Sequence, residues 1–246
     1  MKNTMRIIAV IMCAALLFAF AACNSASTTS TQTTAAPGTS DTSSEKETTE
    51  APATSDTTEA TETESTEAVD PHRVENRTKF DTTKHVFVTF TVKGKGEFQL
   101  ELYPEYAPNT VTNFVNLADS GYYNGTKFHR VVDGFMAQGG QNDSIETESI
   151  YGEFAANGFE KNTLKHERGV ISMARTNAPD SATGQFFICY DAADFLDGNY
   201  AAFGKVTYGM DVIDSFLSVE RSINSLGELA IPMEDIVIES AVVSQK

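Results

Sequence analysis

Cysteine is scarce in this chain, with three among 246 residues, and tryptophan is absent. Cys13 and Cys23 lie close to the start, so Cys189 is the one cysteine in the rest of the sequence. A single thiol cannot form an internal disulfide, and a folded domain must therefore depend on its hydrophobic core. Cys189 follows Phe186-Phe187-Ile188, and we expect it to be a small buried apolar side chain rather than a reactive group.

Basic residues are also few, with 18 Lys and Arg against 34 Asp and Glu, a formal net charge of −16. Residues 41–70 hold ten acidic side chains and one basic, so −9 of the −16 belongs to this segment. An acidic chain without a basic stripe is not expected to bind nucleic acid.

The apolar run at residues 7–20 is short for a membrane-spanning helix, which needs about 20 apolar residues. Lys2 and Arg6 precede the run, and Ala21-Ala22 lead into Cys23. This pattern resembles a bacterial lipoprotein signal peptide over residues 1–22. Cys23 would then carry the lipid and anchor the chain to the extracytoplasmic side of the bacterial cell membrane. An ordinary signal peptide or an uncleaved anchor is the alternative.

Large apolar side chains are nearly missing from residues 23–71, which are rich in Ser, Thr and Glu. Such a segment cannot bury enough surface to offset its chain entropy, and it is predicted to be a disordered tether. Residues 72–246 remain as one domain.

Several catalytic motifs are missing as well. The four histidines form no metal-binding pair, and no nucleophile elbow or phosphate-binding loop is present. Paired carboxylates of a glycosidase stay open, because they need only meet in space. We expect no metal and no cofactor.

The sequence of the predicted domain favours β-structure. Residues 85–92 and 97–103 form a predicted hairpin around a Lys-Gly-Lys-Gly turn. A helix is predicted from Pro108 to Gly121, and another over residues 210–217. The other predicted strands are residues 126–132, 135–138, 169–174, 185–190, 201–206 and 235–243. Many strands with two helices predict a mainly β fold, a closed antiparallel barrel capped by helices.

Six short blocks, taken in order, carry a family resemblance. They are Phe128-His129-Arg130, Gly134-Phe135-Met136-Ala137-Gln138-Gly139-Gly140, Ser172-Met173-Ala174-Arg175, Gly184-Gln185-Phe186-Phe187-Ile188, Phe195-Leu196-Asp197-Gly198 and Phe203-Gly204-Lys205-Val206. With these blocks, the region from about residue 87 to 243 resembles the cyclophilins, which are peptidyl-prolyl cis–trans isomerases. The resemblance implies a closed eight-stranded antiparallel β-barrel with two α-helices and a substrate groove on its outer face. We expect the domain to be monomeric.

The resemblance also implies roles for individual residues. Arg130 is the expected catalytic arginine, assisted by Phe135 and Gln138. The expected substrate-binding residues are Met136, Ala174, Arg175, Thr176, Gln185, Phe187, Phe195, Leu196 and Tyr200.

This set suits rotation about an X–Pro bond. The reaction breaks no covalent bond and must only overcome loss of amide resonance, a barrier of about 18–20 kcal/mol. In the twisted amide the proline nitrogen regains a lone pair, which a fixed guanidinium can stabilise more than it stabilises the planar ground state. No base is needed, so we assign His129 to structure and expect it to satisfy a backbone group.

Three positions depart from the common family pattern. Phe195 stands where many eukaryotic members have tryptophan, Tyr200 where histidine is frequent, and Arg175 where asparagine is common. We expect catalysis with an altered sequence preference, in an isomerase that helps proline-containing extracytoplasmic proteins to fold. The alternatives are a non-catalytic proline-peptide-binding or holdase module on the cell surface, and an adhesin that uses the domain as a spacer.

Overall fold

The computed structural model describes residues 70–246, so the predicted signal peptide, Cys23 and the tether up to residue 69 lie outside the described residues. The helices are α1 (Pro108–Asp119) and α2 (Met210–Asp214). The strands are β1 (Val86–Val92), β2 (Gly96–Leu102), β3 (Lys127–Val132), β4 (Met136–Gln141), β5 (Val170–Met173), β6 (Phe186–Cys189), β7 (Ala202–Tyr208), β8 (Arg221–Ile223), β9 (Leu229–Pro232) and β10 (Ile236–Ser244).

Eight of these strands form a closed barrel in the order β1-β10-β3-β4-β6-β5-β7-β2, with antiparallel pairing throughout. The predicted fold class is therefore confirmed. Strands β8 and β9 form a separate two-stranded hairpin that lies beside β3. The sequence did not predict this hairpin.

The barrel interior is a packed aromatic core, because alternate residues of each strand point inward. Phe90, Phe98 and Phe186 are fully buried there. Phe114 of α1 packs against Phe186 with ring centroids 5.5 Å apart. Phe128 of β3 is part of the same core. A filled interior leaves the outer face of the barrel as the place for a substrate.

The second helix is shorter than predicted. It ends at Asp214 and continues as a 3-10 turn over Ser215–Ser218. The hydroxyl of Tyr190 donates a hydrogen bond to the carbonyl of Ile213 at 2.9 Å, and Ser215 Oγ donates to the carbonyl of Val212. These side chains bind carbonyls that a longer α-helix would have used for its own hydrogen bonds.

Residues 70–85 run ahead of β1 along the surface of α1. Val74 and Phe80 pack against the core, and the Val74 N–H donates to Asn109 Oδ1 at 2.8 Å. Asp70, which the sequence analysis placed in the tether, accepts a hydrogen bond from Asn109 Nδ2 at 3.0 Å. Among residues 70–246, no helix has both the length and the apolar character to span a membrane.

Candidate active site

Arg130 points to the outer face of the barrel because β3 contains a bulge. Phe128 is opposite Gly139 and Arg130 is opposite Gln138, so His129 is an extra residue in the ladder. Phe128 points into the core, and strict alternation would have turned residue 130 inward as well. The bulge places the guanidinium outside, beside Gln138.

The His129 ring lies close to the backbone of Lys127, whose hydrogen bond raises the pKa of the ring against the larger effect of burial. By strict hydrogen-bond geometry, however, its buried Nδ1 atom has no partner among the described residues. Burial lowers the pKa of the ring, which favours the neutral form. A neutral His129 in the bulge is consistent with a structural role rather than a catalytic one.

A small apolar cluster, separate from the barrel core, lies beside Arg130. Ala137 and Ile188 point into the core, so their strand neighbours Met136 and Phe187 point outward. The buried members of this cluster are Met136, Phe187, Cys189, Ala193 and Leu196, and Val132, Phe135, Ala174 and Tyr200 pack around them partly exposed. The cluster gives the outer face an apolar floor with partly exposed walls, which is the surface that a proline ring requires.

Cys189 is a structural member of this floor. The side chain is fully buried and unpaired, and burial raises the pKa of its thiol to about 12. A thiol with such a pKa is not a nucleophile near neutral pH. The expectation of a small buried apolar side chain is confirmed.

The polar side of the site is a row of hydrogen-bonded side chains. The Arg130 guanidinium carbon lies 5.7 Å from the centre of the Phe135 ring. Arg130 Nη1 donates a long hydrogen bond to Gln138 Oε1 at 3.4 Å, and Gln138 Nε2 donates to Gln185 Oε1 at 3.1 Å. The structure therefore brings together the predicted arginine, both glutamines and the apolar floor.

The rim of the site is aromatic. Phe195 is 67% exposed, and its ring centre lies 5.5 Å from that of Phe135. Tyr200 meets Phe187 edge to face, with 5.9 Å between the ring centres. Both of these predicted substrate-binding residues thus border the apolar floor.

Arg175 and Thr176 are directed to other contacts. The Arg175 guanidinium stacks 4.5 Å from the Tyr200 ring centre and donates to the Asn199 carbonyl at 2.7 Å. Thr176 Oγ1 donates a hydrogen bond to Ser181 Oγ at 2.8 Å, within the loop that both residues belong to. Their side chains shape the edge of the site, and their donors are already used within the protein.

A hydrogen-bonded triad of His166, Ser172 and the partly buried Asp197 supports Phe187 from behind. His166 Nδ1 lies 3.0 Å from Asp197 Oδ1, and His166 Nε2 lies 3.0 Å from Ser172 Oγ. The imidazole stacks on Phe187 with centroids 6.1 Å apart and planes 15° from parallel. His166 and Ser172 are both 0% exposed, so no substrate can reach this serine and the triad holds the floor in place.

Sequence reasoning gave no role to the triad, although Ser172 and Asp197 stand within the quoted blocks. It also missed Glu228, which lies in the turn between β8 and β9. Its Oε1 forms an ion pair with Arg130 Nη2 at 2.7 Å. No sequence signal marks Glu228, because 98 positions separate it from Arg130.

Comparison with known proteins agrees with this geometry. The profile of the family described as cyclophilin type peptidyl-prolyl cis-trans isomerase matches residues 87–243. The chain is 42% identical over 171 residues to peptidyl-prolyl cis-trans isomerase A of Dickeya dadantii, covering 67% of this chain and 87% of that protein. It is 39% identical over 158 residues to peptidyl-prolyl cis-trans isomerase B of Escherichia coli, covering 61% and 95%.

Solved structures of cyclophilins are also similar to this chain. Cyclophilin AquaCyp293 from Hirschia baltica has 31% identity and a TM-score of 0.52, with 66% of this chain and 74% of that chain covered. A Cryptosporidium parvum cyclophilin type isomerase has 29% identity and a TM-score of 0.54, with 66% and 99% covered. With the barrel and the matched residues, these similarities show that the chain belongs to the cyclophilin-type peptidyl-prolyl cis–trans isomerases.

Proposed function

We propose that this isomerase binds the proline of its polypeptide substrate on the apolar floor and catalyses rotation with Arg130. The observation that carries the proposal is the position of the Arg130 guanidinium, 5.7 Å from the Phe135 ring at the edge of that floor. A further support is a related Cryptosporidium parvum isomerase, at 30% identity, whose structure is described in the presence of the dipeptide Ala-Pro.

In this proposal the floor and the arginine act on different parts of the substrate. Met136, Phe187 and Leu196 hold the proline ring in a dry environment, in which a hydrogen bond near the ring is stronger than in water. Arg130 then donates to the proline nitrogen, which can accept a hydrogen bond once the amide is twisted. The bond is made only in the transition state, so it accelerates rotation rather than merely binding the substrate.

The test compares wild type with Arg130→Ala in NMR exchange spectroscopy on a short X-Pro peptide. Loss of one transition-state donor is expected to lower the catalysed exchange rate by about 10²–10³-fold. Arg77→Ala is the matched control, because the Arg77 side chain is 72% exposed and lies ahead of the barrel. An Arg130→Ala protein that exchanges the peptide as fast as wild type would refute the assignment.

The second candidate function is holding unfolded chains without turnover, and one observation favours it. The hairpin next to Arg130 exposes a group of large apolar side chains: Ile223, Leu226, Leu229, Ile231 and Met233. Exposed apolar patches of this kind are typical of surfaces that bind other polypeptides. The same NMR experiment separates the two functions, since a pure binder shifts the peptide signals without accelerating their exchange.

We further propose that the enzyme acts on extracytoplasmic, proline-containing proteins from a lipid anchor at Cys23. The sequence of residues 1–23 supports this proposal, as does the acidic, Ser/Thr-rich segment that separates Cys23 from the barrel. In membrane fractionation of bacteria that express the full chain, wild type should sediment with the membrane and Cys23→Ala should not. Equal distribution of the two proteins would exclude the lipid anchor.

A further inference from the structure

Glu228 takes up one whole edge of the Arg130 guanidinium. Arg130 Nε donates to Glu228 Oε2 at 3.1 Å, and Nη2 donates to Oε1 at 2.7 Å and to Oε2 at 2.9 Å. Within residues 70–246, the remaining nitrogen, Nη1, has only the long contact with Gln138 at 3.4 Å. The guanidinium plane is therefore fixed by one carboxylate, and the Nη1 edge keeps donor capacity.

Glu228 is itself held in place. Asn224 Nδ2 donates to Glu228 Oε2 at 2.7 Å, and the Glu228 N–H donates back to Asn224 Oδ1 at 3.0 Å. Ala230, two residues further along, is fully buried where β9 lies beside β3. Two hydrogen bonds to Asn224 thus hold Glu228 in a short turn, and the strand that follows this turn packs beside β3.

The negative charge of Glu228 is paired with Arg130. Glu228 is the only ionisable residue between positions 222 and 233, so this segment offers it no charged partner. Although burial favours its neutral form, hydrogen bonds from Arg130 and Asn224 hold the pKa of the carboxyl below its ordinary value. The side chain is 29% exposed and that of Arg130 is 26% exposed, so the pair is partly shielded from water.

We propose that Glu228 is a positioning residue for catalysis, which locks the Arg130 guanidinium so that its Nη1 edge faces the proline bound on the apolar floor. The proposal rests on the proposed role of Arg130. A long arginine side chain samples many rotamers. A donor that is already oriented when the amide twists lowers the barrier to rotation, because its orientation need not be reached during the reaction. The bidentate carboxylate supplies this orientation without touching the substrate.

The test compares Glu228→Gln with wild type on the same X-Pro peptide. Glutamine has nearly the same shape but carries no charge, and its NH2 group cannot accept the hydrogen bond that Oε1 accepts from Arg130 Nη2. We expect kcat to fall by about tenfold while KM changes by less than about twofold. Glu234→Gln is the matched control, because it removes the same charge from an exposed position close to the hairpin.

A spectroscopic measurement separates positioning from a merely structural role. In wild type the Nε–H of Arg130 should give a resolved NMR signal that exchanges slowly with solvent, and Glu228→Gln should speed this exchange at an unchanged thermal midpoint. A Glu228→Gln enzyme with wild-type kcat, or with a raised kcat, overturns the proposal. Full activity in Arg130→Ala would instead refute the proposed active site, so the two failures are distinguishable.

Discussion

At the scale of single residues, the hydrogen bonds of His166 define its protonation. Asp197 Oδ1 accepts the backbone N–H of His166 at 2.9 Å and lies 3.0 Å from its Nδ1. A carboxylate can only accept, so Nδ1 carries a proton, and in the neutral ring Nε2 then accepts from the hydroxyl of Ser172. Burial is the larger influence and lowers the pKa of His166 below 6.5, against the opposing effect of Asp197.

This pKa predicts how acid affects the protein. His166 binds fewer protons in the folded than in the unfolded state, so its contribution to stability is present above about pH 6.5 and is lost as pH falls towards the folded pKa. We expect an NMR titration to show the His166 ring neutral at pH 6.5. In parallel, the free energy of unfolding should decrease below that pH.

His85 provides the internal contrast. Its hydrogen bonds to Glu101 and Glu105 raise its pKa, so its contribution has the opposite sign and is lost as pH rises. Because the His85 side chain is 45% exposed, that contribution is small. In the His85→Gln protein, the decrease in the free energy of unfolding below pH 6.5 should therefore be easier to see. A His166 ring that titrates at or above pH 6.5 would contradict the prediction.

At the scale of elements, helix α1 receives its N-terminal cap from a distant residue. Ala107 stands at the N-cap position and has no side chain that could accept a hydrogen bond. Glu153 supplies the acceptors: Oε1 accepts the N–H of Asn109 at 3.0 Å, and Oε2 accepts the N–H of Thr110 at 2.8 Å. A carboxylate at this end also interacts favourably with the helix dipole. The cap thus connects α1 to the segment that follows β4.

We expect Glu153→Ala to lower the free energy of unfolding by about 2–4 kcal/mol, because two buried N–H groups lose their acceptors. Glu153→Gln should cost less, since its amide oxygen keeps one of the two. Denaturant unfolding of both variants measures the effect.

The control is Glu148→Ala, at an exposed position five residues earlier, which should stay within about 0.5 kcal/mol of wild type. If Glu153→Ala were as stable as wild type, the carboxylate would not be the functional cap of α1.

At the scale of the whole molecule, the closed barrel with its filled interior decides where chemistry can occur. Phe90 and Phe186 occupy the inside, and the proposed substrate groove lies on the outer face of β3, β4 and β6. Residues 70–85 add an extension that packs on α1, outside the region that matches the family. The barrel therefore carries the proposed site, while residues 70–85 contact α1.

The strands of the barrel were predictable because their side chains alternate between core and surface. The β8–β9 hairpin was not, because β8 and β9 have three and four residues and their large apolar side chains, such as Ile223 and Leu229, are exposed. Ala230 is the one fully buried residue of these two strands, so no alternating pattern of buried and exposed side chains could reveal them. The helix α2 was predicted too long because hydrogen bonds from Tyr190 and Ser215 compete for its carbonyls.

The sequence by itself determined the barrel strands, the family and the set of side chains around the proposed site, because these depend on local alternation and on short motifs. Only the tertiary structure decided which way Arg130 points and what holds it. The direction depends on a bulge at His129, and the support comes from Glu228, 98 positions away. Ladder register and long-range ion pairs arise from the packing of distant segments, and no local pattern in the chain encodes them.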